Sequence, residues 1–268
     1  MSLPSPAPDR ACLVTGASSG IGAEIARQLA GRGHGLVLVA RREEALAAVA
    51  SEVRTAHGVR VEVLPADLTD PEARHGLPDR VKSLDLTVDV LVNNAGFGLN
   101  GHVRDTDEER QVALVRTNVE AVVSLCCLFV PGMTERRRGA VLNVASTAAF
   151  QPMPGSASYA ASKAFVLSYS EALREELRSF GIGVTALCPG PVPTEFSDVA
   201  GITEHDERAA PKFMWRSAPA VARAAIDGLA AGRAVVVPGL PNRFLGLLAH
   251  HTPNRIVVPM VRRMSPFA

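Results

Sequence analysis

The chain has 268 residues, a mass of 28.2 kDa and a formal net charge of +1, with 28 Lys and Arg against 27 Asp and Glu. That length suits one large α/β domain with a full core, and near-neutrality without a dense Lys/Arg run argues against a nucleic-acid binder. Four scattered cysteines are too few for a disulfide framework, and the adjacent Cys126 and Cys127 lack the second pair that a zinc site needs, so no metal is expected.

Residues 1–10, with Pro4, Pro6 and Pro8, read as a loose leader without the charged and apolar regions of a signal peptide. Ordered structure is expected from Ala11. The apolar run Ala11-Cys12-Leu13-Val14 leads into Thr15-Gly16-Ala17-Ser18-Ser19-Gly20-Ile21-Gly22 and then a helical pattern through Ala30. A glycine-rich turn between strand and helix lets backbone N–H groups and the helix N-terminus face a diphosphate. Gly16, Ser18, Ser19, Gly20, Ile21 and Gly22 are therefore candidate dinucleotide contacts, although the spacing is GxxxGxG rather than GxGxxG. Further strand-like runs at 36–40, 59–64, 88–92, 140–144, 183–187 and 234–237 alternate with helical patterns. Near-continuously apolar strands separated by helices predict a doubly wound α/β fold, a Rossmann-type parallel sheet with helices on both faces.

After the second strand comes Ala40-Arg41-Arg42-Glu43-Glu44. An acid at this point of a dinucleotide fold bonds the ribose hydroxyls, whereas arginine meets the extra phosphate of NADP. The acid is missing and Arg41 and Arg42 follow, so NADP(H) is the expected cofactor. The alternative is that these arginines only begin a solvated helix with Glu43 and Glu44 in its first turn. Asp67, in Ala66-Asp67-Leu68-Thr69, either caps the next helix or bonds an adenine amine. At the end of the fourth strand stands Asn93-Asn94-Ala95-Gly96. Small Ala95 and Gly96 let backbone lie against a cofactor, and Asn93 and Asn94 tie strand ends together.

Residues 107–133 read as a long helix interrupted only at Pro131-Gly132, with Asn118 inside it. The apolar residues Val122, Val123, Leu125, Cys126 and Phe129 are too numerous for one buried stripe, yet the apolar stretch 121–133 is shorter than a membrane span. The fifth strand delivers Ser146. A serine nucleophile would need a GxSxG elbow with His and Asp partners, which this stretch lacks. Further on, Tyr159 and Lys163 stand four apart on a helical pattern and share one face. A cation beside a phenol favours the phenolate, bringing proton exchange nearer neutrality, as an acid or base on an alcohol or carbonyl oxygen requires.

With TGxxxGxG early and YxxxK late, residues 10–240 resemble the short-chain dehydrogenase/reductase family. The resemblance implies an NADPH-dependent oxidoreductase that moves hydride between nicotinamide and a carbonyl or secondary alcohol. It implies that Tyr159 gives the proton, Lys163 lowers its pKa and holds the nicotinamide ribose, Ser146 orients the substrate and Asn118 supports a proton relay. It also places Asp67 and Leu68 near adenine, Asn94, Ala95 and Gly96 along the cofactor, and Pro189, Gly190, Val192 and Thr194 at the nicotinamide end. A small carbonyl or alcohol substrate, a cytoplasmic location and a homodimer or homotetramer built through helices 107–131 and 158–180 are expected.

Residues 11–239 form the cofactor-binding domain in this reading, with a substrate lid over 192–217. Phe97, Leu99, Met153, Phe196, Phe213 and Trp215 suggest an apolar pocket wall. Residues 240–268 mix large apolar residues with Arg243, His250, His251, Arg255, Arg262 and Arg263, which suits an amphipathic segment. Pro253 and Pro259 are expected to break it into short pieces that pack on protein, over the pocket or a subunit interface, in preference to a membrane. Rival readings are a non-catalytic NADPH-binding regulator and a membrane-surface module.

Overall fold

The computed structural model describes residues 3–196 and 211–264. Seven strands, β1 (Arg10–Thr15), β2 (Gly35–Val39), β3 (Val61–Val63), β4 (Thr87–Asn93), β5 (Ala140–Val144), β6 (Gly183–Leu187) and β7 (Val235–Val236), form one sheet ordered β3-β2-β1-β4-β5-β6-β7. All neighbours are parallel. Because side chains alternate along a strand, each sends apolar residues to both faces, and both faces are covered. Cys12, Val14, Leu36, Leu38, Val90 and Leu142 lie under α1 (Gly20–Ala30), α2 (Glu43–His57) and α8 (Ala218–Ala230). Leu13, Val37, Leu91, Val141 and Val184 face the other way, toward α6 (Ala121–Arg136) and α7 (Ala157–Leu177). Short α3 (Pro71–His75) and α4 (Leu77–Lys82) join that second layer, and the strand order reverses at the β1–β4 boundary, where ligands bind in such sheets.

Several boundaries differ from the sequence reading. The strand expected over 59–64 is confined to Val61–Val63, although Leu64 N–H and Ala66 N–H still donate to Leu38 O and Ala40 O beyond it. The interruption expected at Pro131-Gly132 does not occur. Both residues lie inside α6, which continues α5 (Glu108–Val115) through one π-helical turn at Arg116–Glu120. Proline in a helix interior costs about 3 kcal/mol, but Leu125, Cys126, Phe129 and Met133 on the same helix are buried, each large side chain worth roughly 1.5–3 kcal/mol. Burial wins. The joined helix Glu108–Arg136 has the length and hydropathy of a membrane span, against the sequence reading, but it packs on the sheet as a core helix.

The leader is held rather than loose, since Thr87 N–H donates to Asp9 O at 2.9 Å, Arg138 reaches Ser5 O and Leu3 packs on the core. At the other end α9 (Leu240–His251) and α10 (Asn254–Met264) are separated at Pro253, while Pro259 sits inside α10 instead of breaking it. Within the expected lid, residues 197–210 lie outside the described residues. Beyond them Lys212–Met214 forms a single 3-10 turn that packs against α9.

Candidate active site

The site grows from the turn between β1 and α1. Gly16 and Gly20 adopt φ of +63° and +55°, which side chains rarely adopt, and a Cβ on Gly16 would stand 2.8 Å from Asn94 Nδ2. Gly22 lies beneath the turn, where a Cβ would collide with Gly16 O. Ser19 is the N-cap of α1 but makes no side-chain cap bond, and no acid stands in the first turn. The positive end of the helix thus remains available to an anion.

Asparagines lock this turn to its neighbours. Asn94 Nδ2 donates to Thr15 O at 2.9 Å and Gly16 O at 3.2 Å, and Thr15 Oγ1 accepts from the N–H groups of Asn94 and Ala95. Asn93 Nδ2 donates to Asn143 Oδ1 at 2.8 Å, and Asn143 Nδ2 passes the chain on to Ser170 Oγ at 2.9 Å. The ends of β1, β4 and β5 are thereby fixed to one another and to α7, as expected of these residues.

A cavity of about 690 Å³ runs across the ends of these strands, within the range of small-molecule and cofactor sites. One end holds Ala40, Arg41, Arg42, Asp67 and Leu68; the middle holds Gly16, Ser18, Ser19, Gly20, Ile21, Asn94, Ala95 and Gly96. Ser146, Tyr159, Lys163, Pro189, Gly190, Val192 and Thr194 line the far end. Of the expected site residues only Gly22 and Asn118 are set back from the wall.

At the far end Ser146, delivered by β5, accepts from Ala148 N–H at 3.1 Å, and its hydroxyl faces that of Tyr159. Lys163 lies one turn along α7, with Nζ donating to Val144 O at 2.9 Å and standing 5.8 Å from the centre of the Tyr159 ring. Burial pulls the Lys163 pKa down to about 8. Burial also pushes the Tyr159 phenol upward, opposed by the Ser146 hydroxyl. Desolvation is the largest single influence on the phenol, with the Lys163 ammonium 5.8 Å from the centre of its ring.

Asn118 occupies the π-helical turn. Its Nδ2 donates to Phe97 O at 3.0 Å and Ser162 Oγ at 3.1 Å, while Oδ1 accepts from Phe97 N–H. The side chain therefore tethers the loop after β4 to α7. Gly96 fits between it and the lysine, since a Cβ there would lie 2.8 Å from Asn118 Oδ1 and 3.3 Å from Lys163 Nζ. Asp67 does not cap α3; its Oδ1 accepts from Thr69 N–H and Oγ1, and Asp70 is the cap, accepting from Glu72 N–H.

Sequence reasoning missed several wall residues, Glu195 and Asn242 among them. Glu195 meets Arg42 Nη2 at 2.6 Å, and the same guanidinium lies 3.1 Å from Ser19 Oγ. Arg42 first, and then Ser19, hold the Glu195 carboxyl below its ordinary pKa. Asn242, from α9, is buried and donates to Met214 O at 2.9 Å and Pro238 O at 3.1 Å. Beside it Leu245 and Gly246 also reach the cavity. Of the expected apolar wall, Phe97, Met153, Phe196 and Trp215 line the cavity; Leu99 is buried in the core and Phe213 is 57% exposed outside it. No local pattern marks Asn242, which the tail brings to the site, or the pairing of Glu195 with Arg42, 153 residues away.

The family model for short chain dehydrogenases matches residues 10–204. The chain belongs to the short-chain dehydrogenase/reductase family. It is 36% identical over 189 residues to an uncharacterised oxidoreductase of Staphylococcus saprophyticus, covering 70% of this chain and 81% of that one. It is 42% identical over 180 residues to a very-long-chain 3-oxoacyl-CoA reductase of Mycosarcoma maydis, covering 65% of this chain and 51% of the relative. Among solved structures, a short-chain dehydrogenase from Sphingobium yanoikuyae in complex with NADPH superposes with a TM-score of 0.80 at 36% identity, covering 89% and 92% of the two chains. L-sorbose reductase from Gluconobacter frateurii, complexed with NADPH and L-sorbose, gives 0.75 at 27% identity, covering 89% and 98%.

As a short-chain dehydrogenase/reductase this protein is an NADP(H)-dependent enzyme acting on carbonyl or alcohol groups. Its own residues fit that cofactor, with two guanidinium groups and no acid at Ala40 at one end of the cavity, and an uncapped helix N-terminus in the middle.

Proposed function

We propose that the enzyme reduces apolar ketones or aldehydes, or oxidises the matching alcohols, with Tyr159 as the general acid or base. The observation that carries this is the meeting of the Ser146 and Tyr159 hydroxyls beside buried Lys163, at the apolar end of the cavity. The nicotinamide, when bound, supplies or accepts the hydride. In reduction the substrate oxygen takes the Tyr159 proton while Ser146 Oγ–H donates to the same oxygen, steadying its growing negative charge. Lys163 keeps a positive charge near the phenolate that results and offers Nζ to the ribose. The Asn118 tether holds Gly96 and Phe97 against that lysine, as a positioning residue.

Arg41 and Arg42 serve the 2′-phosphate, the turn from Gly16 to Gly22 the diphosphate, and Asp67 and Leu68 the adenine in this assignment. Asn94, Ala95 and Gly96 flank the middle of the cofactor, and Pro189, Gly190, Val192 and Thr194 its nicotinamide end. The substrate meets Phe97, Met153, Phe196, Trp215 and Leu245, which is why an apolar carbonyl is favoured. The described ends of the expected lid, Val192, Thr194, Phe196, Met214 and Trp215, border the substrate, and the working form is a cytoplasmic homodimer or homotetramer.

Tyr159→Phe tests the central assignment, since it keeps the ring and removes the proton. Turnover with a panel of ketones, aldehydes and acyl-thioesters should fall about 100- to 10,000-fold while NADPH still quenches protein fluorescence. Near-parent turnover would remove Tyr159 from the chemistry.

A further inference from the structure

Helix α9 has two unlike faces. Asn242 and Gly246 point inward, the latter so close to Phe150 that a Cβ would meet its ring at 2.8 Å. Leu240, Phe244, Leu247 and Leu248, spaced as one helical stripe, are 81%, 66%, 58% and 54% exposed. On α10 Val257 is buried while Ile256 and Met260 are exposed in the same manner, and exposed Phe213 stands on the turn that packs against α9. An apolar surface of this kind is a liability unless something covers it.

Charge indicates what does. All 27 acidic residues lie before residue 228, whereas residues 240–268 carry Arg243, Arg255, Arg262 and Arg263 and no acid. Residues 240–268 thus carry four positive charges and no negative one in a protein of net charge +1, beside strongly exposed apolar side chains. A second copy of the chain would set those arginines against each other, and another exposed apolar surface, at Val112, Val115 and Phe165, is already present for self-association. Phe and Leu on one face with Arg alone among the charged residues is the composition of a helix lying in an anionic lipid interface.

We propose that α9 and α10 dock the enzyme on the surface of an anionic bilayer, with Phe244, Leu247, Leu248, Ile256 and Met260 in the acyl boundary and Arg243, Arg255 and Arg262 on the headgroups. The inner face of α9 simultaneously roofs the cavity through Asn242, Leu245 and Gly246. Docking therefore brings the cavity mouth to a phase in which apolar carbonyl compounds dissolve; that consequence, unlike the docking itself, rests on the reductase reading.

Flotation of the full chain with vesicles of phosphatidylcholine, with or without phosphatidylglycerol, tests the docking without using turnover. The parent should float with the phosphatidylglycerol vesicles, remain at the bottom with phosphatidylcholine alone, and detach in high salt. Phe244→Ser with Leu247→Ser should abolish flotation while NADPH titration stays parent-like, because neither side chain supports the core. Arg255→Gln and Arg262→Gln, which disturb no packing, should each weaken vesicle binding roughly fivefold. The proposal is overturned if the parent ignores anionic vesicles, if it binds both vesicle types alike, or if the double serine variant still floats. It is equally overturned if that variant lowers the sedimenting mass, which would assign the face to a second copy. Loss of reductase activity in any assay would leave the flotation result standing.

Discussion

Lys163 shows how burial and chemistry pull on one residue. Its folded pKa of about 8 lies below the ordinary 10.5, so between those values the unfolded chain binds more protons than the native one, and this group makes stability rise with pH. Buried Cys12, Cys126 and Cys188, whose thiols are pushed up, act in the opposite sense once pH passes the ordinary thiol value. Lys163→Met leaves the cysteines in place. Urea unfolding of the cofactor-free protein should therefore show the parent gaining on the variant as pH climbs from about 8 to 10.5, and a constant difference would mean that Nζ is not desolvated. At the opposite end of the cavity, Glu195 holds the Arg42 guanidinium that we assign to the 2′-phosphate. That ion pair is more than half exposed on both sides, so it is worth at most about 1 kcal/mol, or roughly fivefold. Glu195→Gln should tighten NADPH binding about two- to fivefold with a smaller effect on NADH, and equal gains for both cofactors in fluorescence titrations would show that Glu195 does not compete with the phosphate.

Among the elements, α9 couples the tail to the site. Asn242 Nδ2 ties it to Met214 O and Pro238 O, and the same side chain fills the space against Gly190, where a Cβ would stand 2.8 Å from Asn242 Cγ. Asn242→Ala leaves two carbonyls without their donor in a dry place, a loss of about 1–3 kcal/mol readable in urea unfolding. Because the bond to Met214 also anchors the segment leading to Trp215 on the cavity wall, KM should rise while kcat changes little. An unchanged KM would confine Asn242 to stability. The π-helical turn at Arg116–Glu120 is a second such device, since it sets Asn118 where its amide can reach both the Phe97 backbone and Ser162.

For the whole molecule, the decisive feature is which apolar side chains remain outside. On α5 and α7, which lie against each other, Val112, Val115 and Phe165 are 41–45% exposed, and Phe165 stacks on Tyr169 at 5.8 Å. These positions fall on the two helices expected to pair with a symmetry mate. Sedimentation at micromolar concentration should give particles larger than the 28.2 kDa chain, and Val115→Glu with Phe165→Glu should return them to that mass. A parent that sediments at 28.2 kDa would end the idea of an oligomer built on these helices.

What could be read without coordinates was whatever depends on neighbours in sequence. The glycine turn, the four-residue step from Tyr159 to Lys163 and the apolar period of the strands are short-range geometry, so the doubly wound sheet and the cavity lining at the turn from Gly16 to Ile21, at Arg41 and Arg42 and at Tyr159 and Lys163 followed from the chain itself, whereas Asp67, Leu68, Pro189, Gly190, Val192 and Thr194 rested on the family resemblance. Tertiary structure alone decided the rest, because desolvation and partnership depend on what the fold brings near. It set the direction of the Tyr159 pKa, placed Pro131 inside a helix whose burial outweighs its cost, and joined Arg42 to Glu195 across 153 residues. It also turned Asn242 of the tail into the cavity and left Phe244, Leu247 and Leu248 outside, a division of one helix between two faces that composition does not reveal until its packing is known.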